Sequence, residues 1–356
     1  MKMVFKSMAM ICLLGLFMVP AYGIDGGQMP QIQPKAPSDL DTSLHGTARG
    51  MRMFFEREDG FGPYSGINYD DIGCKDCHVE SGDCAICHGD FTSNKEDQID
   101  TCGQCHGRQN KEKAMGLRGL HMAEKGMVCS SCHKGDDVHG DGTIYQSMLE
   151  PGAIDAKCSN CHDSLSSNYS HDVHTGTLEC SACHTKSVVT CYNCHFESMV
   201  DDHVKKPIKA IGNFVLLVND ERTGKITTGT YQSVSYQGKS FAIFAPFHGH
   251  SVMAEGRGCD DCHGNANMQM AQANGSIQLT EWENDTISHL EGAIPLMEET
   301  NLQFVDYDKA SDSWSPTGIG PEQVQYGYCT PLTTEQIQML QALPSSQVKQ
   351  YEAYKK

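Results

Sequence analysis

Apolar residues first gather in an unbroken run from Met8 to Val19, behind Lys2 and Lys6 and ahead of Ala21-Tyr22-Gly23. The run falls short of the roughly 20 apolar residues that a membrane-spanning helix needs, and its basic start and small-residue end are those of a secretory signal over residues 1–23. From Ile24 to Leu40 the chain is rich in Gly, Pro, Gln and Asp, which predicts the extended start of an N-terminal arm over residues 24–73, with one short helical segment over Met51–Arg57. Residues 74–203 carry no sustained period: Gly, Asn and Ser interrupt the apolar positions, so only short helices and turns are expected. After His203 the pattern turns into strands. Asn213–Val218 is an apolar run, Asn219–Gly224 a turn, Lys225–Tyr236 is rich in Thr, Val and Tyr, and Phe241–Ala245 follows a second turn, which predicts a three-stranded meander. Ile277–Trp282 and Leu302–Tyr307 read as further strands, with a turn at Asp308–Ser313. Thr333 with Gln336 forms a capping box for a helix over Thr334–Leu343.

Cysteine changes this picture. The pentapeptide Cys-x-x-Cys-His occurs eight times, starting at Cys74, Cys84, Cys102, Cys129, Cys158, Cys180, Cys191 and Cys259, and consumes sixteen of the eighteen cysteines. Two thiols three apart followed at once by histidine form a c-type haem attachment site, in which the thiols add across the vinyl groups and the imidazole becomes the proximal iron ligand. Zinc or redox Cys-x-x-Cys sites do not require that histidine. The thiols expected to hold haem are Cys74, Cys77, Cys84, Cys87, Cys102, Cys105, Cys129, Cys132, Cys158, Cys161, Cys180, Cys183, Cys191, Cys194, Cys259 and Cys262. The proximal imidazoles are His78, His88, His106, His133, His162, His184, His195 and His263. Cys12 lies in the signal, so the mature chain keeps only Cys329 outside the motifs; it reads as a buried free thiol, and no internal disulfide is possible.

Nine of the seventeen histidines remain, and eight haems with two imidazoles each need eight. His45, His121, His139, His171, His174, His203, His248 and His250 are the expected distal ligands. His289, in a polar stretch far from any motif, is the one to spare. The five segments predicted are therefore a signal (1–23), an arm (24–73), a seven-haem block (74–203), a meander with the eighth site (204–263) and a haem-free β-rich region (264–356). The block holds too little apolar side-chain material for an ordinary core. The expected fold is accordingly irregular and haem-organised, with short α-helices and loops around a haem chain and β-hairpin or meander elements in the C-terminal third.

The net charge of −18 excludes nucleic acid and anionic membrane surfaces as partners and suits docking to basic patches on redox proteins. No segment beyond the signal is long and apolar enough to span a bilayer, so the chain is expected to be exported and to reside in the periplasm or outside the cell.

The repeated motifs over residues 74–263 resemble those of the multihaem c-type cytochromes. That resemblance implies eight covalently bound haems c, mostly with two histidine ligands, passing single electrons between redox partner proteins, other multihaem cytochromes among them. It also implies two further possibilities: transfer to an extracellular acceptor, and assembly as a homo-oligomer or filament in which His45, on the arm, ligates a haem of a neighbouring protomer. The alternative is an enzyme, similar to octahaem reductases of small nitrogen or sulfur oxo-compounds, with one haem open or ligated by lysine. Lys113 and Lys125 are the lysines considered for such a haem, with Tyr192 and His289 as proton donors.

Overall fold

The computed structural model describes residues 40–47, 49–73, 87–88, 100–117 and 125–354. The signal, the start of the arm, Cys74, Cys77, His78, Cys84 and His121 lie outside the described residues.

The irregular fold expected from the sequence is overturned. The chain is a mixed α/β protein built on two β-sheets, one of seven strands and one of four. The large sheet contains β1 (Val188–His195), β2 (Pro207–Asp220), β3 (Lys225–Tyr236) and β4 (Lys239–Pro246), together with β7 (Gly292–Pro295), β10 (Gln323–Tyr326) and β11 (Cys329–Thr330). The small sheet runs in the order β6 (Thr286–His289), β5 (Ile277–Glu283), β8 (Thr300–Asp308), β9 (Ser313–Gly320). The physical reason is that the β-branched and aromatic residues from Val188 onward suffice to bury one another without a prosthetic group. Val188, Tyr192, Phe214, Leu216, Val218, Tyr231 and Phe244 of the large sheet meet Ile277, Leu279, Ile287, Leu302, Phe304 and Val305 of the small one in a single core.

Strands β2, β3 and β4 occupy the meander that the pattern predicts, and Thr333 caps helix Thr334–Met339 with the expected reciprocal bonds to Gln336. Strand β1 is different, because it lies inside the segment read as loops and short helices. Near the turn, β2 and β3 pair directly, from Leu216↔Gly229 to Asp220↔Lys225. Further along they part and β1 inserts between them, antiparallel to β2 (Cys191↔Ala210, Cys194↔Pro207) and parallel to β3 (Cys194↔Val234, His195↔Ser235). The sheet thus draws strands from the block, the meander and the C-terminal region alike, and the described residues belong to one compact unit.

Before β1, the described chain consists of short helices: α1 (Arg49–Glu56), α2 (Phe61–Ser65), α3 (Gly107–Ala114), α4 (Cys129–Cys132), α5 (Gly135–His139), α6 (Tyr169–His174) and α7 (Cys180–His184). The arm is not loose over its described part. Phe61, Tyr69 and Ile72 are buried with Phe196, Met199, Val234 and Phe241 in a second cluster against the large sheet. Cys329 is buried (1% exposed), its thiol donates to the Phe244 carbonyl at 3.4 Å, and burial pushes its pKa up to about 12. No helix among the described residues is long and apolar enough to cross a membrane.

Leu216 lies at the centre of the shared core with no exposed surface. Leu216→Ala is expected to cost about 2–5 kcal/mol of unfolding free energy, read from urea melts. A loss below 1 kcal/mol would show that the two sheets do not share this core.

Candidate functional site

Most described motifs fold as a single helical turn. The His106 amide donates to the Cys102 carbonyl (2.9 Å), His133 to Cys129 (3.0 Å), His162 to Cys158 (2.9 Å) and His263 to Cys259 (2.7 Å), while Cys180–His184 is helix α7 itself. A turn of this kind places the first cysteine and the histidine, four apart, on one face. The thiols and imidazoles of these motifs are exposed or half-buried.

Among the described residues, five motif histidines face a histidine from outside the motifs, and no imidazole is used twice. The ring centroids are 6.0 Å apart for His106 and His45, 5.9 Å for His88 and His139, and 6.4 Å for His133 and His250. They are 6.2 Å apart for both His184 with His171 and His263 with His174. An imidazole nitrogen binds a transition metal at about 2.0–2.1 Å, and the ring centre lies about 1.1 Å behind it, so two imidazoles on opposite sides of one ion have centroids about 6.3 Å apart. The donor set and its spacing fit a metal held between two imidazoles. His45 is placed against His106 of its own chain.

Hydrogen bonds prepare several of these rings as ligands. The Nδ1–H groups of His184, His171 and His174 donate to the carbonyls of Met253 (3.1 Å), Ser166 (2.8 Å) and Ser170 (2.9 Å). A proton held on Nδ1 leaves the lone pair on Nε2, the tautomer that a metal takes. His133 Nδ1 lies 3.3 Å from Asp137 Oδ2, and His250 Nδ1 lies 3.6 Å from Glu112 Oε2. Glu112 is 1% exposed, and desolvation pushes its carboxyl pKa up to about 7.

The pairs stand next to one another. The Cys102 thiol is hydrogen-bonded to Cys129 and within electrostatic range of Cys87, and His106 is within range of His133. The Cys158 thiol is within electrostatic range of Cys180 and Cys132, and Cys183 is within range of Cys259. The motifs starting at Cys84, Cys102, Cys129, Cys158, Cys180 and Cys259 therefore form an unbroken series of neighbours. Helix α6 ties the last two together. Asn168 caps it by accepting from the His171 amide (3.0 Å), and residues 171 and 174, one turn apart on one face, reach His184 and His263 respectively.

The motif Cys191–His195 departs from this form. It is β1, a strand paired on both sides, and the His195 amide donates to the Lys206 carbonyl rather than to Cys191. Among the described motif cysteines and histidines, only Cys194 (4% exposed) and His195 (5% exposed) are buried. His195 Nδ1 lies 3.0 Å from Asp306 Oδ1 and 3.1 Å from Glu197 Oε2, and its ring meets Tyr307 and Trp314 edge-on.

His162 and His203 engage partners, but His248 is brought to no imidazole among the described residues. The spare His289 bonds the Gly212 carbonyl through Nε2 at 3.0 Å. Of Lys113, Lys125 and the donors considered for an open haem, Lys113 pairs with Asp100 (3.8 Å), and the Tyr192 hydroxyl is buried against Thr280 (3.1 Å). Sequence reasoning missed Glu112 and Asp306, since an acid that supports an imidazole from a distant element leaves no local signature, and also missed Asp137 and Glu197, which stand four and two residues after His133 and His195. For β1 a signal was present: Val-Val-Thr-x-Tyr is a strand pattern.

Comparison with protein-family models, with curated proteins and with solved structures finds no match.

Because Glu112 titrates near pH 7 when folded and near 4.5 when exposed, the folded chain takes up a proton there. Its contribution to stability is present below about pH 4.5 and is lost as the pH rises through 7, by at most about 3 kcal/mol. Glu112→Gln is expected to flatten the fall in urea midpoint over that range; an unchanged slope would assign the fall to other groups.

Proposed function

We propose that this chain is an electron-transfer protein of the multihaem c-type, carrying covalently attached haem c at its helical Cys-x-x-Cys-His turns and passing single electrons along them between redox partners. The observation that carries this reading is the one-to-one pairing of five motif histidines with five non-motif histidines at centroid separations of 5.9–6.4 Å. Aromatic rings also stack at such distances, but stacking gives no reason for every pair to combine one motif and one non-motif imidazole. When bound, haem supplies a one-electron couple with an iron ligated on both faces.

The chain's own residues do the rest. The motif turns fix thiols and proximal imidazoles on one face, and His45, His139, His171, His174 and His250 close the opposite face. The carbonyls of Met253, Ser166 and Ser170 hold the tautomer and the ring orientation. Contact between neighbouring motifs from Cys84 to Cys259 supports transfer from centre to centre. At the five paired motifs two imidazoles leave no position for substrate, which favours a conduit over a reductase. The same reading extends by sequence to Cys74–His78, with His121 and His203 as further ligands. The signal-like residues 1–23 make the protein exported, and its net negative charge favours partners with basic docking patches.

An electron paramagnetic resonance spectrum of the oxidised protein, with spins counted against total haem, is expected to show low-spin iron throughout. His174→Ala should convert one haem per chain to high spin and leave the remainder unchanged. A stoichiometric high-spin signal in the unsubstituted protein would turn the reading toward an enzyme.

A further inference from the structure

We infer that Cys191-Tyr-Asn-Cys-His195 is not a haem site in the folded protein, and that His195, Glu197 and Asp306 together bind a divalent transition-metal ion. The first half rests on conformation. A helical turn rises about 6 Å from first cysteine to histidine, whereas four steps of strand span roughly 13 Å. The register with β2 continues unbroken from Thr190 to Cys194, so the positive φ of 50° at Asn193 does not fold the motif back into a turn. The two spacer residues are core residues. Tyr192 has no exposed surface, and the Asn193 side chain is wholly buried, its amide bonded to Ser235 Oγ (2.9 Å) and its oxygen accepting from Val305 N (3.3 Å). Attaching a porphyrin to Cys194 would require tearing a central strand out of the large sheet.

The second half rests on the ligand atoms. The three side chains each direct one donor atom into a cluster in which all lie within 4.8 Å of one another, with two edges of 3.0 and 3.1 Å. Cis ligands of an octahedral ion at 2.0–2.1 Å are about 3.0 Å apart. One imidazole N–H has a single proton to give. Asp306 Oδ1 is placed to take it and also accepts from the Tyr307 amide (2.9 Å). Glu197 Oε1 accepts from the Gln237 amide (2.7 Å), while its buried Oε2 has only the His195 Nδ1 beside it, at 3.1 Å, and is left without a hydrogen bond when that proton goes to Asp306. The nearby lysines pair elsewhere, Lys206 with Asp312 and Lys309 with Asp201 and Asp202. Two carboxylates and a buried bare oxygen lodged against one imidazole are the environment that a cation neutralises. On binding, the His195 proton moves from Nδ1 to Nε2, so the ion meets one neutral nitrogen and two carboxylate oxygens, a set suited to Mn²⁺ or Zn²⁺.

The test uses the full holoprotein from a host that matures c-type cytochromes. Intact mass and a haem-to-protein ratio are expected to give seven haems per chain, with Cys191 and Cys194 unmodified. Mn²⁺ titration, followed by loss of the free-ion paramagnetic resonance signal, is expected to show one tight site. That site should be absent in Glu197→Gln and Asp306→Asn, at least tenfold weaker in Glu197→Asp, and unchanged in Asp312→Asn. The haem count and low-spin spectrum of each variant report whether it has folded. Eight haems per chain, or Mn²⁺ binding indifferent to all three substitutions at Glu197 and Asp306, overturns the inference. High-spin iron at the helical motifs would count against the electron-transfer reading and leave both of these readouts standing.

Discussion

The described chain is marked by one recurring juxtaposition: a motif imidazole and a non-motif imidazole with ring centres about 6 Å apart. His45 reaches His106, His250 reaches His133, and His263 reaches His174, so the pairs close loops that nothing local would close. Loop closure costs entropy that grows only slowly with length, and a metal seated in the gap would repay it as folding free energy. The short helices between the pairs need little stability of their own, because their ends are pinned.

The sheets support that juxtaposition from the other side. Residues 248–263, which deliver His250 and His263, follow directly from β4, and the Met253 carbonyl that orients His184 lies in the same stretch. The arm is anchored by Phe61, Tyr69 and Ile72 against the sheet while His45 lies at its other end. A rigid, protein-only core therefore fixes the positions of imidazoles that sit on loops.

The sequence foretold the ingredients of this arrangement better than its frame. Counting histidines against motifs singled out His45, His139, His171, His174 and His250, because a surplus of imidazoles close to the number of motifs is a chemical signal that needs no geometry. The meander was legible for a similar reason, since Thr, Val and Tyr between turn residues leave few alternatives. The strand β1 was obscured because the same residues, Val188–His195, carry both a strand pattern and a haem motif, and the motif was read as the stronger of the two. Only the split between β2 and β3, a tertiary fact, decides that the strand prevails. The carboxylates beside His195 and His250 belong to β8, the helix Glu197–Asp201 and α3, and only Asp137, four residues after His133, stands at a spacing that the sequence alone could have flagged.

The place of β10 and β11 in the large sheet sets an order of events in folding. Gln323–Tyr326 pairs with β4 and Cys329–Thr330 with β2, so the outer parts of the sheet wait for residues more than 75 positions further along the chain. The strands that flank β1 come from residues 207–236, close behind it. The centre of the sheet can therefore close around Cys191–His195 while its rim is still open, and contacts near in sequence form before those far apart.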